Sequence, residues 1–296
     1  MEVVKLHSWL EFRSQIDAIK TKYRKSIVIG SETPILFRGQ ADSDWRLEST
    51  LERSSKMYWT VSSYSMLARR CLPQIESYTD YKWNLKPIEE LTNNFTKDDN
   101  NLVPFIQDCE YWVYLWHHGF PSPLLDWSIS PFVAAFFAFI NPCPSDQVAI
   151  FVYIPTPTGM RVVGNTFPNI DIKDPYVSSH KRHFLQQSRY SICTIKENYD
   201  FKFVCHENVF EVKNPSIGHE QDTLFKILIP KSERLKALRE LHEYNINSFS
   251  LMPSEESLAN TLAFTEVEVL ENILDDQLNA NEKNKRPLIN PYIGLK

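Results

Sequence analysis

The stretch from Ser130 to Ile154 restricts the fold of this chain more than any other. Ser130-Pro131 carries two helix-start signals in the right order, a hydroxyl residue at the N-cap and proline at the first helical position. Phe132 to Ile140, FVAAFFAFI, follows and is apolar nearly all round, so this helix has no polar face for water and belongs at the centre of the molecule. Gln147 to Ile154, QVAIFVYI, reads as a strand with too little alternation to leave one face solvated. The run Phe132 to Ile140 is far shorter than the ~20 residues that span a bilayer. It reads as core, and no membrane partner is expected.

Composition supports a packed core, since 43% of the 296 residues are hydrophobic and 13% aromatic. Seven glycines against eighteen prolines argue against a glycine-rich phosphate loop and for stiff connections. A net charge of −5 provides no long-range basic field for nucleic acid, although a local basic groove stays open. The five cysteines, Cys71, Cys109, Cys143, Cys193 and Cys205, are scattered and form no CxxC pair, so neither a zinc site nor a disulfide framework is indicated. Met1 to Phe12 lacks a basic segment leading into an apolar run, so a cytoplasmic location is expected.

Elsewhere the signals are shorter. Ser8 and Glu11 suggest a capping box for a helix whose stripe is Trp9, Leu10, Phe12, Ile16 and Ile19. Ile27 to Ile29, Ile35 to Phe37, Phe201 to Val204, Phe210 to Val212 and Leu224 to Ile229 read as strands. Phe249 to Met252 reads as a last short strand or extended turn. Asp108 to His118 predicts a buried aromatic helix ended by Gly119, and Ser232 and Pro253-Ser254 open two further helices. Short strands separated by irregular proline-rich links predict an α+β fold with a mostly antiparallel sheet and packed helices, rather than a regular βαβ series. The expected domain covers residues 1–270, with a helical insertion at 54–104 (weak helices at Tyr64 to Arg70 and Pro87 to Thr92). Residues 271–296 read as a polar tail.

Two motifs carry a family resemblance. Leu36-Phe37-Arg38-Gly39-Gln40, with Trp45-Arg46-Leu47 and Leu51-Glu52-Arg53, resembles the opening of the FRG domain. His117-His118-Gly119-Phe120-Pro121-Ser122-Pro123-Leu124-Leu125-Asp126-Trp127-Ser128 resembles that family's His-x-Gly-x-Pro-Thr-x-Leu-Leu-Asp-Trp-Thr stretch. Gln186-Gln187 and Met252 to Ala259 are similar to its Gln-rich turn and closing acidic segment. Trp116 and Pro123 depart from the family's usual Gln and Arg, which removes a second ligand-facing cation. A looser resemblance links the order Arg38-Gly39, Trp127-Ser128 and Glu256 to ADP-ribosyltransferases. It implies a split sheet of that type, NAD as substrate and no metal.

Under that resemblance Arg38 grips pyrophosphate, Gly39 admits the carboxamide, and Trp127 packs on nicotinamide with Ser128 nearby. Asp126 completes the NAD-binding set, and Glu256 acts as the catalytic acid beside Arg38. Plainer readings stand next to these. Arg38 and Asp126 can form a buried ion pair, Trp127 can be core, Ser128 can serve the turn, and Glu255 and Glu256 can be ordinary first-turn acids. The adjacent His117 and His118 read as a helix-end cap rather than a metal site, and no G-x-S-x-G elbow supports a hydrolase. The implied partners are NAD, a macromolecular acceptor (protein or RNA) and, for a toxin of a bacterial antiviral defence or toxin–antitoxin system, an inhibitory protein. Arg182, Arg189 and Tyr190 mildly favour RNA. The alternative is a non-catalytic module that recognises a nucleotide or peptide.

Overall fold

The computed structural model describes residues 1–24, 34–85, 87, 108–141, 143–157, 167–173, 181–198, 200–211 and 222–270. It divides into two compact units, Met1–Leu238 and Arg239–Lys296. The first unit contains one eight-stranded, mostly antiparallel sheet. Its strands are β1 (Glu2–Lys5), β2 (Leu36–Gln40), β3 (Leu125–Ser128), β4 (Gln147–Pro155), β5 (Asn169–Lys173), β6 (Ser188–Glu197), β7 (Asp200–Phe203) and β8 (Asp222–Pro230). They lie in the order β1-β8-β4-β2-β3-β6-β5, with β7 also paired to β6.

The sheet is split. On one side β4 pairs with β8 from Gln147↔Pro230 to Pro155↔Asp222 and with β2 from Leu36↔Tyr153 to Gln40↔Ala149. On the other, β3 pairs with β6 from Leu125↔Ser191 to Ser128↔Ser188. The two halves meet through a single register pair, Phe37↔Ser128. Beyond it the strands part, and the twist that makes sheets diverge opens a crevice there.

The helices are α1 (Leu10–Arg24), α2 (Thr50–Ser54), α3 (Val61–Arg70), α4 (Leu72–Thr79), α5 (Cys109–His117), α6 (Pro131–Ile140), α7 (Lys181–Leu185), α8 (Asn208–Glu211), α9 (Arg234–Glu243), α10 (Ser248–Leu251) and α11 (Glu255–Ala263). The α6 start follows from its residues: Ser130 Oγ accepts the Val133 amide at 3.3 Å and Pro131 occupies the first turn. Buried on most sides, α6 packs against α1, with Trp9 edge-on to Phe139 at 5.9 Å and Phe12 edge-on to Phe132 at 6.2 Å. Gly39 of β2 explains how α6 comes so close to the sheet. A Cβ there would collide with the Ala134 carbonyl oxygen and lie 2.7 Å from the Ala138 nitrogen.

A second core holds α2, α3 and α5 against β6 and β7 through Leu51, Tyr64, Trp112, Leu124, Tyr190 and Phe203. Arg69 and the almost fully buried Asp108 join α3 to the start of α5 by two parallel hydrogen bonds of 2.8 Å. Gly119, at φ +84°, ends α5. Its amide reaches the Trp116 carbonyl at 3.0 Å, and the Phe120 amide reaches that of Leu115 at 2.9 Å.

Several sequence expectations change. Ser8 does accept the Leu10 amide, but Glu11 reaches back to the amide of His7, not Ser8. Phe210 lies in helix α8 rather than a strand, because Asn208, Val209 and Phe210 close a turn on Cys205, His206 and Glu207. Phe249 to Leu251 is helical, started by Asn247 and Ser250 capping each other's amides. Strands β1, β5 and β6 had no predicted counterpart. Tyr64 to Arg70 falls within α3, whereas Ile27 to Ile29, most of Pro87 to Thr92 and residues 271–296 lie outside the described residues. No helix among the described residues is long and apolar enough to cross a membrane.

Candidate functional site

Arg38 stands on β2 where the two half-sheets part. Its Nη1 donates to the Asp126 carbonyl oxygen at 2.9 Å and to the Asp126 carboxylate, bridging the opening from β2 to β3. The Arg38 side chain is only 15% exposed, and its Nε is buried without a partner, so donor capacity remains in the crevice. The ion-pair reading of Arg38 therefore describes this arrangement, and it leaves the remaining guanidinium edge available.

Arg53, from the quoted Leu51-Glu52-Arg53 run, had been given no role. It lies at the end of α2 and near Arg38. Partial loss of water holds its guanidinium below the ordinary value, and the positive charge of Arg38 adds to this, while Asp126, Glu48 and Glu52 oppose it. Arg53 is not among the residues that line the Arg38 crevice. A cue was present, an arginine in the same motif block, but its proximity to Arg38 depends on how α2 is placed.

The other candidates are engaged inside the protein. Trp127 is buried, its Nε1 donates to Ser191 Oγ at 2.7 Å, and its ring lies 5.5 Å from that of Tyr153. Ser128 Oγ donates to the Gln186 carbonyl at 2.7 Å and accepts the Ser130 amide at 3.0 Å. The Ile129 amide bonds the Gln187 carbonyl at 3.1 Å, so the Gln186-Gln187 turn is laced to the end of β3. Gly39 faces α6 with the position its Cβ would fill. Arg38, Gly39, Asp126, Trp127 and Ser128 thus all line one crevice, together with Phe137 and Gln186. Its free space is about 30 Å³, an order of magnitude below the roughly 300–1,000 Å³ of small-molecule sites.

Behind β3, the Tyr190 hydroxyl lies 3.0 Å from His117 Nε2 and 3.4 Å from His183 Nδ1. Burial pushes the Tyr190 phenol well up and the Asp126 charge adds to it, while burial and Arg189 hold His183 below the ordinary imidazole value. His117 is thus a hydrogen-bonding partner as well as the last residue of α5. Tyr190 has no exposed ring to stack on RNA. Among the described residues no cluster of three or more His, Cys, Asp or Glu could hold a metal ion.

Glu256 belongs to the second unit. Ser254 Oγ accepts the Ser257 amide at 3.1 Å, so Glu255 and Glu256 occupy the first turn of α11, both exposed. The Arg38 crevice belongs to the first unit.

The fold and crevice define an α+β protein with a split sheet and an opening at the split that the Arg38–Asp126 pair lines. The family model of the FRG domain matches residues 33–147. That span includes β2, β3, α6 and the Arg38–Asp126 bridge. No curated protein matches the chain, and no solved structure does.

Proposed function

We propose that this protein is an NAD-consuming ADP-ribosyltransferase that modifies a macromolecule, protein or RNA. The observation that carries the reading is Arg38 at the parting of the two half-sheets, with unused donors and a second guanidinium, Arg53, nearby. Cleaving the nicotinamide–ribose bond develops positive charge on ribose while the pyrophosphate must be held still. A guanidinium pair suits the second task, and an acid suits the first. Glu256 is the acid proposed. Entry of a nicotinamide ring requires the crevice to widen, since the present space is about 30 Å³. A toxin of a bacterial defence or toxin–antitoxin system, held in check by an inhibitory protein, is the setting in which such an activity inside a cell is tolerable.

A second reading is favoured by one observation. Trp127 and Ser128 both use their polar atoms on internal partners. That suits a non-catalytic module in which Arg38 and Arg53 recognise an anion without bond cleavage.

Nicotinamide release from NAD separates the two. Wild-type protein is expected to release it, Arg38→Ala to release none, and Glu256→Gln to turn over roughly 10²-fold more slowly, the scale of one lost electrostatic stabiliser. Glu255→Gln is expected to be near wild type, and melting curves control for folding. No release by wild type, with NAD still bound, would establish the recognition module.

A further inference from the structure

We infer that a second pocket, formed by the end of α2, the Ser55–Trp59 loop and β7, binds a nucleotide through its base and one phosphate. The pocket has a volume of about 390 Å³, within the roughly 300–1,000 Å³ of small-molecule sites. It shares no lining residue with the Arg38 crevice, so the inference does not rest on the transferase reading.

Its shape is built rather than incidental. The Phe203 amide bonds the Trp59 carbonyl at 3.0 Å and Thr60 bridges to Lys202, which fixes the loop against β7. Trp59 Nε1 donates to Ser55 Oγ at 3.0 Å, which holds the indole as a half-buried wall. Cys205 forms part of the floor, its thiol pushed up to about 12 by burial and so kept neutral.

On this frame Tyr58 is 83% exposed, an unusual position for a large ring. Lys202 Nζ sits 4.0 Å from the centre of that ring and also 3.6 Å from the exposed carboxylate of Glu197. Lys56 lies on the same rim and is exposed. One open aromatic face beside two ammonium groups matches a flat base that carries a phosphate. Glu52 on the inner wall, whose carboxylate accepts the Ser49 amide, adds an acceptor facing a base amine. With a chain charge of −5, the surroundings do not suit a long polyanion, so recognition is of a single nucleotide unit.

That unit can be a free mononucleotide or one nucleotide of a single strand. The test titrates AMP and a short single-stranded oligoadenylate RNA into the full chain, followed by tryptophan fluorescence and calorimetry. Saturable binding of at least one probe is expected. Tyr58→Ala should weaken it about tenfold or more, the scale of one lost base–aromatic stack. Tyr58→Phe should preserve it, and Lys202→Ala should weaken it. Binding of AMP alone identifies the free nucleotide as the ligand, and tighter binding of the RNA identifies a strand. Failure of both probes to bind, or binding indifferent to Tyr58→Ala, overturns the inference. So does loss of binding in a folded Arg38→Ala variant, which would place the ligand in the crevice.

Discussion

At the scale of single residues, His206 shows how burial fixes a protonation state. Trp127 Nε1 donates to Ser191 Oγ at 2.7 Å, and Ser191 Oγ lies 2.8 Å from His206 Nε2. The His206 side chain is buried, with Nδ1 unpaired. Burial drives the imidazole down to about 3, and the nearby Arg38 charge acts in the same direction. In the unfolded chain the group titrates near 6.5, so below that pH the unfolded state takes up a proton that the fold refuses. Stability is therefore full above pH 6.5 and declines as pH falls toward about 3. The contribution approaches ~1.4 kcal/mol per pH unit. Denaturant unfolding of wild type and His206→Gln at stepped pH should show the shallower acid slope in the variant; equal slopes would refute the assignment. His183, also held low by burial, adds to the slope in both proteins. The Arg38–Asp126 pairing was legible in the sequence because both are charged residues in apolar runs. The Trp127–Ser191–His206 chain was not, because its members lie far apart in sequence and only the sheet joins them.

At the scale of elements, two glycines are required for opposite reasons. Gly119 has open space around its missing Cβ, but its φ of +84° is one that other residues adopt at a cost. Gly39 is excluded from substitution by space alone, since the α6 backbone occupies the Cβ position. Gly39→Ala should then push α6 off the sheet and lose about 3 kcal/mol or more, at the upper end of overpacking effects. Gly119→Ala should lose only about 1 kcal/mol, the lower range for a left-handed non-glycine residue. Urea midpoints measure both, and the reverse ranking would contradict the packing account. Elements with local start and stop signals were readable: Ser130-Pro131 for α6, Ser254 for α11 and Gly119 for the end of α5. Strand β6 was not. Ser191 and Thr194 are as deeply buried as Tyr190 and Ile192, so the strand lacks the apolar run that announces a buried one. Helices α8 and α10 are four residues each, too short for any periodicity to distinguish them from strands.

At the scale of the molecule, the FRG match and the folding unit do not coincide. The match covers residues 33–147 and ends at the first residue of β4, yet β2 and β3 share only the Phe37↔Ser128 pair, and the rest of their pairing comes from β4 and β6. A fragment of residues 33–147 should consequently lack near-ultraviolet dichroism and dispersed amide resonances, and a cooperative thermal transition in that fragment would disprove this. The strand order sets a schedule as well. Strand β4 lies between β2 and β8, and β1 joins the sheet only through β8, pairing Glu2 with Phe225. On the ribosome, β1 leaves the exit tunnel long before its neighbour is synthesised, and the apolar β4 waits with one edge uncovered until β8 follows. A nascent chain of this protein therefore carries an unfinished sheet until β8 is synthesised, and β1, β4 and β8 close together in one late step.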